Sequence, residues 1–164
     1  MASREEVAEV VAMIRRVHHT SFTVTDMERS LVFYRDLLGM QVIGDQGGKG
    51  GYLAEVVGFP DVDMRVVFLQ PTTDSVHLLE LIEYRSPKGV PADVRTCNPG
   101  SGHLCLVVED IHSAHARLRE AGVKFASDAP VAILAGRHRG GHTVYARDPD
   151  GVTIELIQLP PGMK

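Results

Sequence analysis

The 164-residue chain has no tryptophan, only two cysteines and only 5% aromatic residues. With so few rings, a pocket that binds a planar ligand by stacking has little material to build on. Cys97 and Cys105 are too few and too close for a disulfide framework, and Cys105 falls on an expected strand, where it reads as a small buried thiol. No apolar run is long enough to span a bilayer. Lys and Arg number 17 against 21 Asp and Glu, a net charge of −4, so there is no basic field for nucleic acid. The segment MASREEVAEVVAMIRR carries Glu5, Glu6 and Glu9 and lacks the apolar centre of a secretory leader; a cytoplasmic placement is expected. What is present, 44% hydrophobic and 23% charged residues, describes a soluble globular protein. The length fits one domain, or two half-domains sharing a core.

The chain repeats itself. VHHTSFTVTDMERSLVFYRDLLGM surrounds His19, and SGHLCLVVEDIHSAHARLREAGV surrounds His103. Each runs from a histidine through alternating apolar residues to an aspartate, then through a helix-like segment to Gly39 or Gly122. Each copy later reaches Glu-Leu-Ile in an apolar segment, LLELIEY at Glu80 and VTIELIQL at Glu155. Aligning His19 with His103 also aligns Val24 with Val108 and Asp26 with Asp110.

Residues 1–16 have the spacing of an amphipathic helix, with Val7, Val10, Val11 and Ile14 on one side; such a helix packs on the body or covers a dimer. The rest, 17–159, is expected to be one domain: module one over 17–85, a Pro- and Gly-rich linker over 86–102, and module two over 103–159. In module one, 17–24 alternates as a strand. Thr25 and Glu28 fit a capping box, and Leu31, Phe33, Tyr34, Leu37 and Leu38 supply a helix face that ends at Gly39. Strands are expected at 40–43, 52–57, 64–70 and 76–84. The glycine-rich stretch 44–51 lacks the order of a phosphate loop and is expected to be a mobile hairpin or lid. In module two, Asp110 caps a helix that ends at Gly122, and strands are expected near 123–125, 131–134, 142–146 and 152–158, with Asp148-Pro-Asp-Gly151 as a tight turn. Both modules read as roughly β-α-β-β-β, and the fold class is α+β.

Alternate side chains of a strand share a face. His19 therefore lies with Ser21 and Thr23, and His103 with Cys105 and Val107. A carboxylate such as Glu80 among Leu78, Leu79, Leu81 and Ile82, or Glu155 between Ile154 and Leu156, is costly to bury unless it is paired or coordinated. Duplication alone explains the helices and turns. It does not explain a histidine at both strand starts and a glutamate on both last strands. That pattern suits metal ligation.

These residues resemble the vicinal-oxygen-chelate superfamily, which includes glyoxalase I, methylmalonyl-CoA epimerase, extradiol dioxygenases and bleomycin-binding proteins. The resemblance covers 17–159, and HHTSFTVTDMERSLVFYRDLLGM and YARDPDGVTIEL are its most specific stretches. It implies paired modules forming an open, cup-shaped mixed sheet around one divalent metal. It places the ligands at His19, Glu80, His103 and Glu155. Two His and two Glu suit Ni, Co, Mn, Fe or Zn. The implied chemistry is glyoxalase-like lyase, isomerase or epimerase chemistry on a small oxygen-bearing substrate through a metal-stabilised enediolate. Glu155 would be the base; His138, His142 and Tyr145 are further catalytic candidates around it. A homodimer is expected.

The chain also departs from its nearest patterns. Glutathione-dependent glyoxalase I resembles it through HHTSFTV but carries an arginine at the position of Thr23, and methylmalonyl-CoA epimerase usually carries Gln where Glu80 stands. Gly136-Arg137-His138 followed by Tyr145, Asp148-Pro149, Gly151 and Glu155 resembles the extradiol Fe(II) dioxygenase signature, which is the first alternative. That chemistry needs three open coordination positions, and a bound Glu80 leaves two. The second alternative is a metal-free antibiotic-binding protein, which would have no need of four aligned ligands.

Overall fold

The computed structural model describes residues 13–163. Most of the helix expected over 1–16 lies outside these residues, and 14–18 run without regular structure into the first strand.

Module one contributes β1 (His19–Thr23), α1 (Met27–Leu31, continuing through a wider turn over Val32–Leu37), β2 (Gln41–Lys49), α2 (Gly51–Val57), β3 (Asp63–Gln70) and β4 (Leu78–Ser86). Module two contributes β5 (His103–Val107), α3 (Ile111–Glu120), β6 (Lys124–Phe125), β7 (Val131–Ala132), β8 (His142–Arg147) and β9 (Thr153–Gln158). The first sheet has the order β1-β4-β3-β2. The second has the order β5-β9-β8-β6, with β7 also on β8. In each sheet the first strand lies parallel to the last, and that last strand is antiparallel to the one before it. The duplication read from the sequence is thus a duplication of topology, in an α+β fold.

Both helices that follow the first strands are capped by aspartate. Asp110 accepts from the amides of His112 and Ser113, as expected. In module one the cap is Asp26, which accepts from Arg29 N, so it lies one residue later than the Thr25 box predicts. An ionised carboxylate at this position also meets the partial positive charge of the helix start.

Two expectations for module one are corrected. Residues 52–57 form helix α2 rather than a strand. Gly50 and Gly51 enter it with positive φ and Gly58 closes it in the left-handed region. Leu53, Ala54 and Val57, spaced for one helix face, pack on Val62, Met64 and Val66. The glycine-rich stretch is not a hairpin: 44–49 belongs to β2, paired along β3. The absence of a side chain at Gly48 lets α2 approach, since a Cβ there would come within 2.6 Å of Leu53 Cδ1.

One apolar cluster unites the two modules. Leu79 and Leu81 of β4, and Ile154 and Leu156 of β9, meet in it together with Met27, Leu31, Phe33 and Tyr34 from α1 and Ile111 and Leu118 from α3. Burying each such Leu or Ile contributes about 1.5–3 kcal/mol. Strand alternation then sends Glu80 and Glu155 to the opposite face of each sheet. The core therefore fixes both where the glutamates point and that they point away from the apolar centre.

Candidate functional site

On the outer face of the first sheet, Ser21 lies beside Glu80 in register, and Phe68 lies beside Glu80 on its other side. His19 Nε2 comes within 3.5 Å of Glu80 Oε2, and its ring stands edge-on to Phe68. His19 Nδ1 is 2.8 Å from His18 Nδ1, which engages the far nitrogen and leaves Nε2 toward the carboxylate.

The second sheet repeats this arrangement with other neighbours. Cys105 and Tyr145 flank Glu155 in register. His103 Nε2 is 3.1 Å from Glu155 Oε2, and the His103 ring lies tilted over Tyr145 with centroids 5.5 Å apart. The Thr143 hydroxyl donates to Glu155 Oε1 at 2.6 Å. In both halves the carboxylate is mostly covered, at 14% and 16% side-chain exposure, while the imidazole is open at 36% and 42%. Each half therefore opens on its histidine side.

Electrostatics follow from these neighbours. Burial, then the Glu155 charge, raises the Tyr145 phenol above its ordinary value. Burial of the sulfur, again followed by the Glu155 charge, pushes the Cys105 thiol up to about 12. Both groups thus stay neutral at ordinary pH, each with a proton to donate. Cys105, expected to be buried, is an exposed residue on the His103 face, and both cysteines are free.

Each half supplies one nitrogen and one oxygen donor. Among the described residues, no three His, Cys, Asp or Glu side chains are arranged so that they could hold a metal ion. The four predicted ligands are thus gathered as two pairs on two outward faces. A two-donor half is short of the three or four protein ligands that zinc-type sites use, and two such halves together make the N₂O₂ set. The donor chemistry fits a divalent ion held between two halves.

The remaining candidates are dispersed. His138 lies in the connection between β7 and β8, where its carbonyl accepts from Gly141 N. His142 stands on the other face of β8 from Thr143 and Tyr145, with its ring 5.3 Å from that of His112 on α3. Thr143 and Cys105 escaped the sequence reading as carboxylate neighbours. Strand parity placed Cys105 with His103, and the same parity places Thr143 with Tyr145, but the register between β8 and β9 was needed to bring Thr143 to Glu155. A cavity of about 690 Å³ opens past the ends of β1 and β4, with Thr23, Tyr84, Lys88, Val90 and Val94 in its wall. No described helix is long and apolar enough to cross a membrane.

The family described as the Glyoxalase/Bleomycin resistance protein/Dioxygenase superfamily matches residues 16–156. A 2-epi-5-epi-valiolone epimerase from Actinomyces is 32% identical over 155 residues, covering 89% of this chain and 80% of the relative. A probable lactoylglutathione lyase from Synechocystis is 32% identical over 142 residues, covering 85% and 92%. A glyoxalase family protein from Bacillus cereus, 20% identical, shares the fold with a TM-score of 0.73 over 90% of this chain and 95% of its own.

Proposed function

The chain belongs to the glyoxalase/bleomycin resistance protein/dioxygenase superfamily, and on that premise we propose a divalent-metal-dependent epimerase or lyase that moves a proton beside a carbonyl of a small oxygen-bearing molecule. It works in the cytoplasm as a homodimer, with each site made of His19 and Glu80 from one copy and His103 and Glu155 from the other. The observation that carries this reading is the recurrence of the His–Glu pair at one register in two sheets, each pair by itself short of a complete ligand set among the described residues.

The two carboxylates offset the charge of a dication, and the set suits Ni, Co, Mn, Fe or Zn. Such an ion, when bound, polarises a carbonyl and stabilises negative charge on its oxygen. The chain does the rest. With Oε1 engaged by Thr143, Glu155 Oε2 would hold the ion in one state and, when away from it, take the proton from carbon, never both at once. Tyr145, holding its proton, donates a hydrogen bond toward a substrate oxygen. His138, in the connection between β7 and β8, is given no part in the proposed chemistry. His142, which faces α3, is left out of the proposed chemistry.

The names of an epimerase and a lyase among the relatives support this class. Inverting a carbon beside a carbonyl requires a proton to leave one face and return on the other. Thr23 offers no cation for a glutathione carboxylate, which favours the epimerase type of substrate.

Metal content after reconstitution tests the reading. About one equivalent of a divalent ion per chain is expected, reduced in Glu80→Gln and His103→Ala; less than about 0.2 equivalents in the unaltered protein overturns it. Solvent deuterium uptake next to the carbonyl of α-hydroxy ketones or 2-substituted thioesters, followed by NMR, then identifies the substrate.

A further inference from the structure

The two halves of the candidate site match position for position, and the match shows where they differ. His19 corresponds to His103, Ser21 to Cys105, Glu80 to Glu155, and Phe68 to Tyr145, each pair holding the same place in register. One step further along the sheet, Val66 lies beside Ile82, and Thr143 lies beside Ile157. At this corresponding place the first half has a buried isopropyl group and the second has a hydroxyl.

Valine and threonine have nearly the same shape, so the difference between the halves is one of hydrogen bonding. The Thr143 hydroxyl has a single proton and two acceptors in reach, Glu155 Oε1 at 2.6 Å and the Leu156 carbonyl at 3.2 Å. The shorter contact, to a charged acceptor, takes the proton. Among the described residues, the Glu80 carboxylate has only His19 as a polar partner, at 3.5 Å. The two glutamates are therefore not equivalent.

We propose that Thr143 is a positioning residue that keeps Glu155 Oε1 occupied, leaving Oε2, the atom facing His103, as the one oxygen that Glu155 offers to a metal and to substrate. That contact favours Glu155 as a one-oxygen ligand over a two-oxygen one. Glu80, with Val66 in the corresponding place, has no such restraint and is free to offer both oxygens. The inference rests on the metal-site reading above and adds to it a division of labour that the four ligands alone do not imply.

The test uses Co(II) as the probe on chelator-treated full-length protein, with affinity measured by titration calorimetry and coordination by the visible absorption of the bound ion. Partners that orient metal ligands typically account for about 10–100-fold in affinity. Thr143→Val is expected to weaken Co(II) binding by about 10-fold and to change the visible band as Glu155 is released to bind through both oxygens. Thr143→Ser, which keeps the hydroxyl, is expected to restore both. Thr143→Ala carries the same expectation as the valine variant and replaces it if that protein does not fold. Affinity within about 2-fold of the unaltered protein together with a superimposable spectrum in Thr143→Val or Thr143→Ala overturns the inference while leaving the metal site standing. Failure of the unaltered protein to bind Co(II) overturns the metal-site reading, and this inference with it.

Discussion

The Tyr34 hydroxyl donates to Asp148 Oδ2 at 2.8 Å, joining the first helix of one repeat to the Asp-Pro-Asp-Gly turn of the other. Both groups are buried. The other oxygen of Asp148 accepts from the amides of Asp150 and Val152, at 2.9 and 2.7 Å, and Asp150 in turn accepts from Thr25 N and Arg29. The turn read from the sequence as a strand connection is also a polar latch between modules.

Tyr34→Phe removes the proton that satisfies Asp148 Oδ2 and adds nothing in its place. A buried acceptor left unpaired costs about 1–3 kcal/mol. For a chain of this size each kcal/mol lowers Tm by roughly 2–4 °C. Thermal unfolding followed by circular dichroism is expected to show a fall of this order, and an unchanged Tm would remove the latch from the account of stability.

The same latch predicts a pH dependence. Burial raises the Asp148 carboxyl above its ordinary value of about 3.9, outweighing the hydrogen bonds that oppose the shift. The folded state then holds this proton more tightly than the unfolded state. The stabilising contribution is complete below the ordinary value and is lost as pH rises through the folded one. Asp148→Asn, which cannot ionise, is expected to lack this loss. Urea unfolding at steps from about pH 3.5 to 7 should therefore show the unaltered protein losing stability relative to Asp148→Asn just above the ordinary carboxylate range.

A site shared between copies predicts complementation. His19→Ala and His103→Ala chains, each expected to be unable to build a complete site alone, are mixed and re-equilibrated. Half of the dimers are then mixed, and each mixed dimer has one intact site and one doubly altered site. About a quarter of the full metal capacity should return. No recovery after verified subunit exchange would place all four ligands within one chain or remove them from the site.

Gly141→Ala tests the entry to β8. A Cβ at this residue would meet the Gln158 carbonyl oxygen at 2.4 Å and the His138 carbonyl oxygen at 3.2 Å, both backbone atoms. Neither can swing aside as a side chain does, so the strand must shift, at a cost of about 1–3 kcal/mol. Because Thr143 lies two residues on, the shift should also loosen its hydrogen bond to Glu155. Denaturant midpoints of the variant and the unaltered protein give the measurement.

The repeat made much of this legible. The histidine at both first strands and the glutamate on both last strands marked the two His–Glu pairs, but Leu78, Leu79, Leu81 and Ile82 are apolar on both sides of Glu80, so packing decided which face became the core. The aspartate and glycine limits of α1 and α3 were local signals and came close to the observed ends. Residues 52–57 were misread because a short run containing Tyr52, Leu53, Val56 and Val57 suits a strand as well as a helix, and packing on Met64 and Val66 decided between them. The glycines of β2 argued against a strand by propensity, yet the close approach of Leu53 to Gly48 favours a residue without a side chain there. What lay beyond the sequence was register: it brings Thr143 to Glu155, and strand parity turns His142 toward α3.

The apolar cluster shared by both modules makes the two halves depend on one another. Leu79 and Leu81 of β4 lie in the same cluster as Ile154 and Leu156 of β9. Cutting the chain within the 86–102 linker would therefore leave each fragment with part of that cluster uncovered, and burying it again would draw the two fragments back together without a covalent link.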